Sequence, residues 1–176
     1  YIEKDCLSIL LNKMIKTDAD IVSPTIIHVK DNGDLSHYTG FAPFESFCGY
    51  DYKNITEIMQ RVQCYIIGSL YKRKVWENVY KIIPENTYLT SSEDVLSTLL
   101  FVLNKDRRYA ITDKLYYHIL GTGFSTSNKK FFIPSFIKQN TFQTYVDILK
   151  NILIPKYPYA IEELNYEILK AEDIIK

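Results

Sequence analysis

Several features that would narrow the class of protein are scarce in this sequence. Its three cysteines, Cys6, Cys48 and Cys64, are odd in number, widely spaced and without the spacing of metal ligands. This pattern argues against a disulfide scaffold and favours a reduced cytosolic protein in which each thiol is a small buried apolar side chain. No apolar run approaches the ~20 residues needed to cross a bilayer, and no signal-peptide pattern is seen.

An excess of charge of either sign is also missing. Lysine plus arginine and aspartate plus glutamate both number 21, so the formal net charge is +0 at pH 7. No long-range field draws nucleic acid or an acidic membrane to the chain, and we expect no nucleic-acid partner. An anionic ligand would have to be bound by local contacts.

Apolar and aromatic side chains, by contrast, are plentiful. The 176 residues are 47% hydrophobic and 24% charged, which fits one soluble domain with a real core. Tyrosine alone accounts for 15 residues. Its flat face and hydroxyl suit sugar binding, although a biased genomic base composition accounts for the same enrichment.

Apolar residues at helical spacing predict several helices. The segments are 2–16, 53–62, from 69 onward, 90–103, about 142–152 and about 161–175. The first of the two tail helices is expected to stop before Pro155. The apolar seam of the second, in steps of three and four, suits pairing with a helix of the same domain or of another chain.

Residues that favour strands and turns lie between the helices. Residues 21–29 are apolar at nearly every position, as in a strand covered on both faces, and Pro24 indicates an edge position or a bulge there. The segment 31–34 predicts a hairpin turn. Residues 107–120 predict one or two short strands, and 37–52 an aromatic loop that either lines a groove or tucks onto the core.

The segment 90–103, TSSEDVLSTLLFVL, is the strongest candidate for a functional element. Glu93 and Asp94 open its apolar helix, where unpaired N–H groups and the positive end of the helix dipole favour negative charge. A carboxylate mounted there can act as a general base. It can equally act as a cap, because Thr90 and Glu93 have the spacing of a capping box.

Other candidate site residues carry weaker signals. Lys72 and Arg73 belong to three consecutive cations that either contact a phosphate or form a solvated face. His118, near a predicted strand end, is either a ligand or a hydrogen-bonded structural residue. Ser125, a further candidate phosphate contact, lies in the small-residue loop 121–128, whose Gly-x-Gly lacks the third glycine of a dinucleotide motif.

In order along the chain, five segments resemble the second half of bacterial family 2 glycosyltransferases of the GT-A fold, enzymes that build surface polysaccharides. They are YIEKDCLSILLNKM, ADIVSPTI, GSLYKRKVWENV, SSEDVLSTLL and LYYHILGTGFSTS. The resemblance covers roughly residues 1–128. It implies the α/β class, as the C-terminal, acceptor-side part of a Rossmann-like nucleotide-diphospho-sugar transferase fold, followed by a helical extension over 129–176.

The resemblance also implies an activity. A sugar would move, with inversion, from a nucleotide-sugar donor to a saccharide or lipid-linked saccharide acceptor. Asp94 would be the base, Glu93 would bond acceptor hydroxyls or only cap the helix, and His118 would contact the donor diphosphate or the metal. A divalent cation, Mg²⁺ or Mn²⁺, would neutralise the leaving diphosphate, held mainly by aspartates upstream of Tyr1.

The sequence departs from the family pattern in two ways. It begins at Tyr1, one or two residues after the expected Asp-x-Asp metal motif, so we expect an inactive fragment without the donor-binding half. The family's strand commonly ends Tyr-x-Tyr-Arg, whereas this one has Tyr116-Tyr117-His118. In a fragment, the strand at 21–29 should lack its neighbours and leave apolar surface exposed, unless a partner chain or the tail covers it.

The alternative function is a non-catalytic interaction module. In that case the C-terminal helices would form a homodimer, and Glu93 and Asp94 would only cap their helix. For the transferase we expect a cytoplasmic protein, peripheral at the inner face of the membrane. A hydrolase has less support, because no serine or cysteine nucleophile elbow lies near Asp94.

Overall fold

A computed structural model describes residues 2–30, 32–37, 46–51, 55–62, 68–89, 93–119 and 135–175. The chain forms two compact units. Unit 1 consists of residues 1–48, 67–72 and 107–132, and unit 2 of residues 49–66, 73–106 and 133–176. The predicted boundary between residues 128 and 129 lies outside the described residues.

Unit 1 combines a five-stranded mixed sheet with one helix. Its elements are α1 (Cys6–Thr17), β1 (Ile21–Val29), β2 (Leu35–His37), β3 (Ser46–Cys48), β4 (Leu70–Tyr71) and β5 (Arg108–Ile119). The strand order is β2-β1-β5-β3, and β4 also pairs with β1. β1 and β5 run parallel, while the other pairs are antiparallel. The mixed sheet, together with the helices of the chain, confirms the predicted α/β class.

β1 is a central strand of the sheet. Residues 21–27 are buried, as the continuous apolar run predicts for a strand covered on both faces. The register with β5 shifts next to Pro24, so the predicted bulge is confirmed. The edge position is confirmed locally. β5 pairs along one side of β1, but among the described residues the other side pairs with β4 only at 21–22 and with β2 only at 27–29, so Pro24 has a strand on one side alone. The expectation that this strand lacks neighbours is wrong, because β2, β4 and β5 all pair with it over part or all of its length.

The hairpin between β1 and β2 turns at Gly33, whose φ is 83°. The Lys30 amide donates to the Asp34 carbonyl at 2.9 Å, and the Gly33 amide donates to the Lys30 carbonyl at 2.8 Å. Glycine takes a positive φ without the penalty that a Cβ imposes. The hairpin predicted at 31–34 is therefore confirmed over the described residues 32–34.

α1 has one side against the sheet and one side exposed. The buried side consists of Cys6, Leu10 and Met14. On the other side Leu7, Leu11 and Ile15 are 68%, 50% and 70% exposed. The predicted helix is confirmed, but only part of its predicted apolar stripe belongs to the core. The exposed apolar surface expected near β1 lies instead on α1.

Unit 2 is helical. Its α-helices are α2 (Ile55–Val62), α3 (Arg73–Tyr80), α4 (Glu93–Val102), α5 (Ser135–Ile148), α6 (Ile154–Lys156) and α7 (Ile161–Ile175). In α4, residues 96–102 are all buried, and α2 and α3 pack against this helix. A helix that is buried on every side is typical of a domain core, and the two polar side chains in this run, Ser97 and Thr98, bond to carbonyls of the helix itself.

The tail helices α5 and α7 pack against each other. The seam predicted on α7 is buried at Leu164, Ile168 and Ala171, which confirms packing within the same chain. The predicted stop before Pro155 is wrong, since a π turn at Leu149–Leu153 leads directly into α6. The wider π turn keeps the Pro155 ring from meeting the carbonyl of Asn151, four residues earlier.

Short elements differ most from the sequence-based expectations. The predicted loop 37–52 contains β3 and a 3-10 turn at Gly49–Asp51. The helix predicted from Ser69 begins at Arg73, because Leu70–Tyr71 pairs with β1. Residues 108–119 form a single strand, one of the two predicted alternatives, although at 12 residues it is longer than expected. Within the described part of the chain, no helix combines the length and apolar character needed to span a bilayer.

Candidate functional site

Glu93 and Asp94 form the first turn of α4. The Ser97 hydroxyl donates to the Glu93 carbonyl at 2.7 Å, and the Thr98 hydroxyl donates to the Asp94 carbonyl at 2.8 Å. Behind this turn the helix is anchored by buried side chains, Leu96, Leu99 and Leu100. The start of α4 is therefore a firm mount for two adjacent carboxylates.

The two carboxylates have different surroundings. Asp94 is half-buried, and its Oδ1 accepts from the Val95 amide at 2.8 Å. Among the described residues, no other group bonds to the Asp94 side chain. Glu93 is exposed and lines a cavity. Within the described chain, Asp94 is not part of the lining of that cavity. The capping box predicted with Thr90 lies outside the described residues.

The cavity beside Glu93 has a volume of about 410 Å³ and belongs entirely to unit 2. Tyr80 and Tyr88 supply aromatic faces, and Glu85 and Glu93 supply carboxylates. Ser97 adds a hydroxyl at its wall. Aromatic faces together with a few convergent polar groups are typical of sites for small polar molecules, including sugars.

An aromatic row fixes one wall of this cavity. The Trp76 ring centroid lies 4.8 Å from that of Tyr80 and 5.4 Å from that of Phe101. Phe101 is buried in α4, so the row runs from the core of unit 2 to Tyr80 at the cavity. Tyr88, on the segment before α4, is 79% exposed and presents its ring to solvent.

Sequence reasoning missed Tyr80, Glu85 and Tyr88 as site residues. The available signal is the connector PENTY at 84–88, which brings a proline, a carboxylate and a tyrosine close to the start of the acidic helix. Pro84 and the turn at 85–86 lead the connector past α3, and side chains of this connector line the same cavity as Glu93.

The predicted phosphate contacts Lys72 and Arg73 both have carboxylate partners. In unit 1 the Lys72 ammonium lies 3.0 Å from Asp18 and 3.2 Å from Asp20. Its hydrogen bond to Asp18 raises the pKa of Lys72 and lowers the pKa of Asp18. In unit 2 Arg73 lies 2.7 Å from Glu77. These carboxylates already pair with both cations, so the positions of Lys72 and Arg73 do not require a bound anion. The predicted contacts of the two residues with phosphate stay predictions.

His118 and Ser125 complete the predicted site residues. The His118 backbone lies in β5, paired with His28 of β1 in the parallel register. The His118 side chain and the whole of Ser125 lie outside the described residues, so their roles stay predictions. Among the residues that the structure does describe, no three histidines, cysteines or carboxylates are grouped to hold a metal ion.

The cysteines show no sign of a reactive site in the part of the chain described. Cys6 is buried in unit 1, and burial, together with the nearby Glu3 carboxylate, raises the pKa of its thiol. A raised pKa disfavours the reactive thiolate, so Cys6 acts as a small apolar residue, as predicted. Cys48 is only half-buried, contrary to prediction, and Cys64 lies outside the described residues.

The chain was compared with models of protein families and with curated proteins, and neither comparison found a match.

Proposed function

We propose that this chain is the acceptor-side part of an inverting glycosyltransferase of the GT-A fold, acting in surface polysaccharide synthesis. The observation that carries the proposal is the start of α4, where Glu93 lines a cavity with two tyrosines in its lining and Asp94 is the adjacent carboxylate. The ordered resemblance of five sequence segments to family 2 enzymes supports the same function. A lipid-linked acceptor would put the reaction at the cytoplasmic face of a membrane.

The proposed reaction requires that an acceptor hydroxyl lose its proton as it attacks the anomeric carbon. The nucleoside diphosphate leaves from the opposite face, which inverts the configuration. Asp94 is assigned as the base that takes the proton. Its Oδ1 is held by the Val95 amide, which directs the carboxylate and makes Oδ2 the oxygen that takes up the proton.

Glu93 is assigned to the acceptor sugar. Its exposed carboxylate accepts hydrogen bonds from sugar hydroxyls, while the face of Tyr88 packs against the pyranose ring. A divalent cation, where present, neutralises charge on the leaving diphosphate. Among the described residues no cluster of ligands fits such an ion, and the aspartates expected upstream of Tyr1 would hold it.

The test uses the full-length protein and follows release of nucleoside diphosphate from a panel of nucleotide sugars with an oligosaccharide acceptor. Asp94→Asn should lower kcat by about 10²- to 10⁴-fold, the usual contribution of a general base, while melting stays nearly unchanged. Glu93→Gln should chiefly raise KM for the acceptor. Glu162→Gln is the matched control, because Glu162 is also a first-turn carboxylate, at the start of α7.

The capping interpretation predicts a different result. A carboxylate that only stabilises a helix start contributes about 0.3–1 kcal/mol to folding and nothing to turnover. Equal small losses of stability in Asp94→Asn and Glu162→Gln, with unchanged kcat in both, would rule out Asp94 as the base.

The alternative, an interaction module that dimerises through the C-terminal helices, needs an available surface on those helices. The predicted α7 seam is already buried in unit 2. A homodimer of this kind would use the other side of α7, where Tyr166 and Leu169 are exposed. Light scattering of Leu169→Lys distinguishes the two functions, since only a tail dimer would dissociate.

A further inference from the structure

Unit 2 contains a second cavity of about 590 Å³, and within the described chain its lining has no residue in common with the cavity beside Glu93. It is bounded by the 3-10 turn at Gly49–Asp51, the loop after α4 and the segment between α6 and α7. Six of its lining residues define what we call the tyrosine cavity: Tyr50, Tyr157, Tyr159, Asn104, Lys105 and Asp106.

A close backbone contact builds one wall of the tyrosine cavity. A Cβ placed on Gly49 would lie 2.7 Å from the carbonyl oxygen and 2.8 Å from the Cα of Lys105. Only glycine allows the 3-10 turn to approach the loop this closely. The approach places the next residue, Tyr50, at the edge of the loop 104–106, with its side chain 67% exposed.

The opposite wall is held by Tyr159. Its hydroxyl donates to the carbonyl of Leu103, a fully buried residue. The Tyr157 ring meets it edge-on, with centroids 6.2 Å apart and an interplanar angle of 81°. The Lys105 ammonium lies 5.6 Å from the Tyr159 ring centroid. These contacts fix the rings before any ligand arrives, which lowers the entropy lost on binding.

The polar groups of the cavity indicate the class of ligand. Asn104 offers the donors of its amide, because its Oδ1 already accepts from the Asp106 backbone amide at 3.1 Å. Lys105 adds an ammonium and Asp106 a carboxylate, and together these groups match hydroxyls that both donate and accept hydrogen bonds. The single cation and single anion balance, so no net charge attracts a polyphosphate. A proline-rich peptide would present carbonyl acceptors and leave the Asp106 carboxylate without a donor.

We propose that the tyrosine cavity binds a neutral pyranose unit of a saccharide, with the tyrosine rings against its C–H face and residues 104–106 at its hydroxyls. This inference goes beyond the proposed function, because it requires only that the tyrosine cavity binds a sugar. It does not depend on transfer chemistry at α4. It gives unit 2 a saccharide contact in addition to the cavity beside Glu93.

The test is an NMR titration of the chain with three neutral probes, maltotetraose, cellotetraose and the tetramer of N-acetylglucosamine. At least one should shift the amides of residues 104–106. Tyr50→Ala should weaken that binding about fivefold, the worth of one aromatic packing contact, and Tyr50→Phe should restore it. Tyr166→Ala removes an exposed tyrosine of α7 that lines neither cavity, and it should leave these shifts unchanged.

The inference is overturned if none of the probes shifts residues 104–106, or if Tyr50→Ala binds as tightly as the unchanged chain. Shifts there with a nucleoside diphosphate or a proline-rich decapeptide, but not with saccharides, would assign the cavity to another class of ligand and overturn it as well. The result is independent of turnover in Asp94→Asn, so failure of one proposal leaves the other standing.

Discussion

The ammonium of Lys72 lies 3.0 Å from a carboxylate oxygen of Asp18, joining the residue after β4 to the turn after α1. Asp20 extends this contact. Its Oδ2 accepts from the Arg108 amide at 3.0 Å, and its carbonyl accepts from the Lys72 amide at 2.9 Å. One small polar network thus joins the starts of β1 and β5 to the end of β4.

The ion pair between Lys72 and Asp18 predicts that the pKa of Asp18 changes when Lys72 is replaced. Lys72→Met should raise the pKa of Asp18 towards its ordinary value, because the hydrogen bond from Lys72 is the main cause of its lowering. NMR titration of the Asp18 carboxyl checks this. Arg73→Met is the matched control, since Arg73 pairs with Glu77 and should leave Asp18 unchanged. Identical Asp18 titration in both variants would mean that the pair does not form in solution.

The same shifts fix how stability depends on pH. The folded pKa of Asp18 is lowered, so its contribution is present above the unfolded value of about 3.9 and is lost as pH falls through the folded value. The folded pKa of Lys72 is raised, so its contribution is present below about 10.4 and is lost as pH rises through the folded value. In Lys72→Met, urea unfolding should show a weaker dependence on pH at both extremes.

Two leucines of α1 allow a matched test of its packing. Leu10 is 1% exposed and contacts the core of unit 1, whereas Leu7 is on the solvent side. Leu10→Ala should lower the free energy of unfolding by about 2–5 kcal/mol. Leu7→Ala should change it by less than about 0.5 kcal/mol. Urea unfolding measures both changes. Similar losses of stability would mean that α1 does not bury Leu10 while leaving Leu7 in solvent.

Two glycines at positive φ separate backbone strain from crowding. Gly33 and Gly68 have φ near 83° and 84°, but a Cβ meets nothing within 4 Å at Gly33 and lies 3.0 Å from the Tyr116 ring at Gly68. Each change to alanine should destabilise by about 1–2 kcal/mol through the left-handed backbone. Gly68→Ala should lose more, because the ring must move. Equal melting temperatures for the two variants would show that the Tyr116 ring can move aside without loss of stability.

The exposed side of α1 predicts weak self-association. Leu7, Leu11 and Ile15 are large apolar residues in one row, and such rows promote contacts between molecules. Changing all three to serine should lower the apparent mass at high concentration in light scattering. Leu35→Ser, which removes a single exposed apolar side chain from β2, should have little effect. A monomeric unchanged chain at every concentration would contradict the prediction.

The long elements could be predicted because their patterns are local. β1 shows a continuous apolar run, Gly33 marks its turn, and the leucines of α4 recur at helical spacing. The two-residue β4 and three-residue β3 are too short to show any period. Their pairing is decided by tertiary contacts, such as Phe47 stacked on Tyr109 at 5.1 Å, that no local pattern reveals.

The candidate site was predictable only in its carboxylates. Glu93 and Asp94 stand out because two acidic residues open an otherwise apolar helix. Which of them lines the cavity depends on the direction of each side chain and on the connector that covers it. The tyrosine cavity could not be predicted, since it brings Tyr50 together with Tyr157 and Tyr159, more than a hundred positions away.

The parallel pairing of β1 with β5 has a consequence during synthesis. Asp20 and Arg108, at the starts of these strands, are 88 residues apart. A ribosome adding 5–20 residues per second needs on the order of 5 to 20 s to cover that distance. Throughout this interval the nascent chain carries the apolar run of β1 without its main partner. We therefore expect newly made molecules to need chaperones until residue 119 has emerged from the exit tunnel.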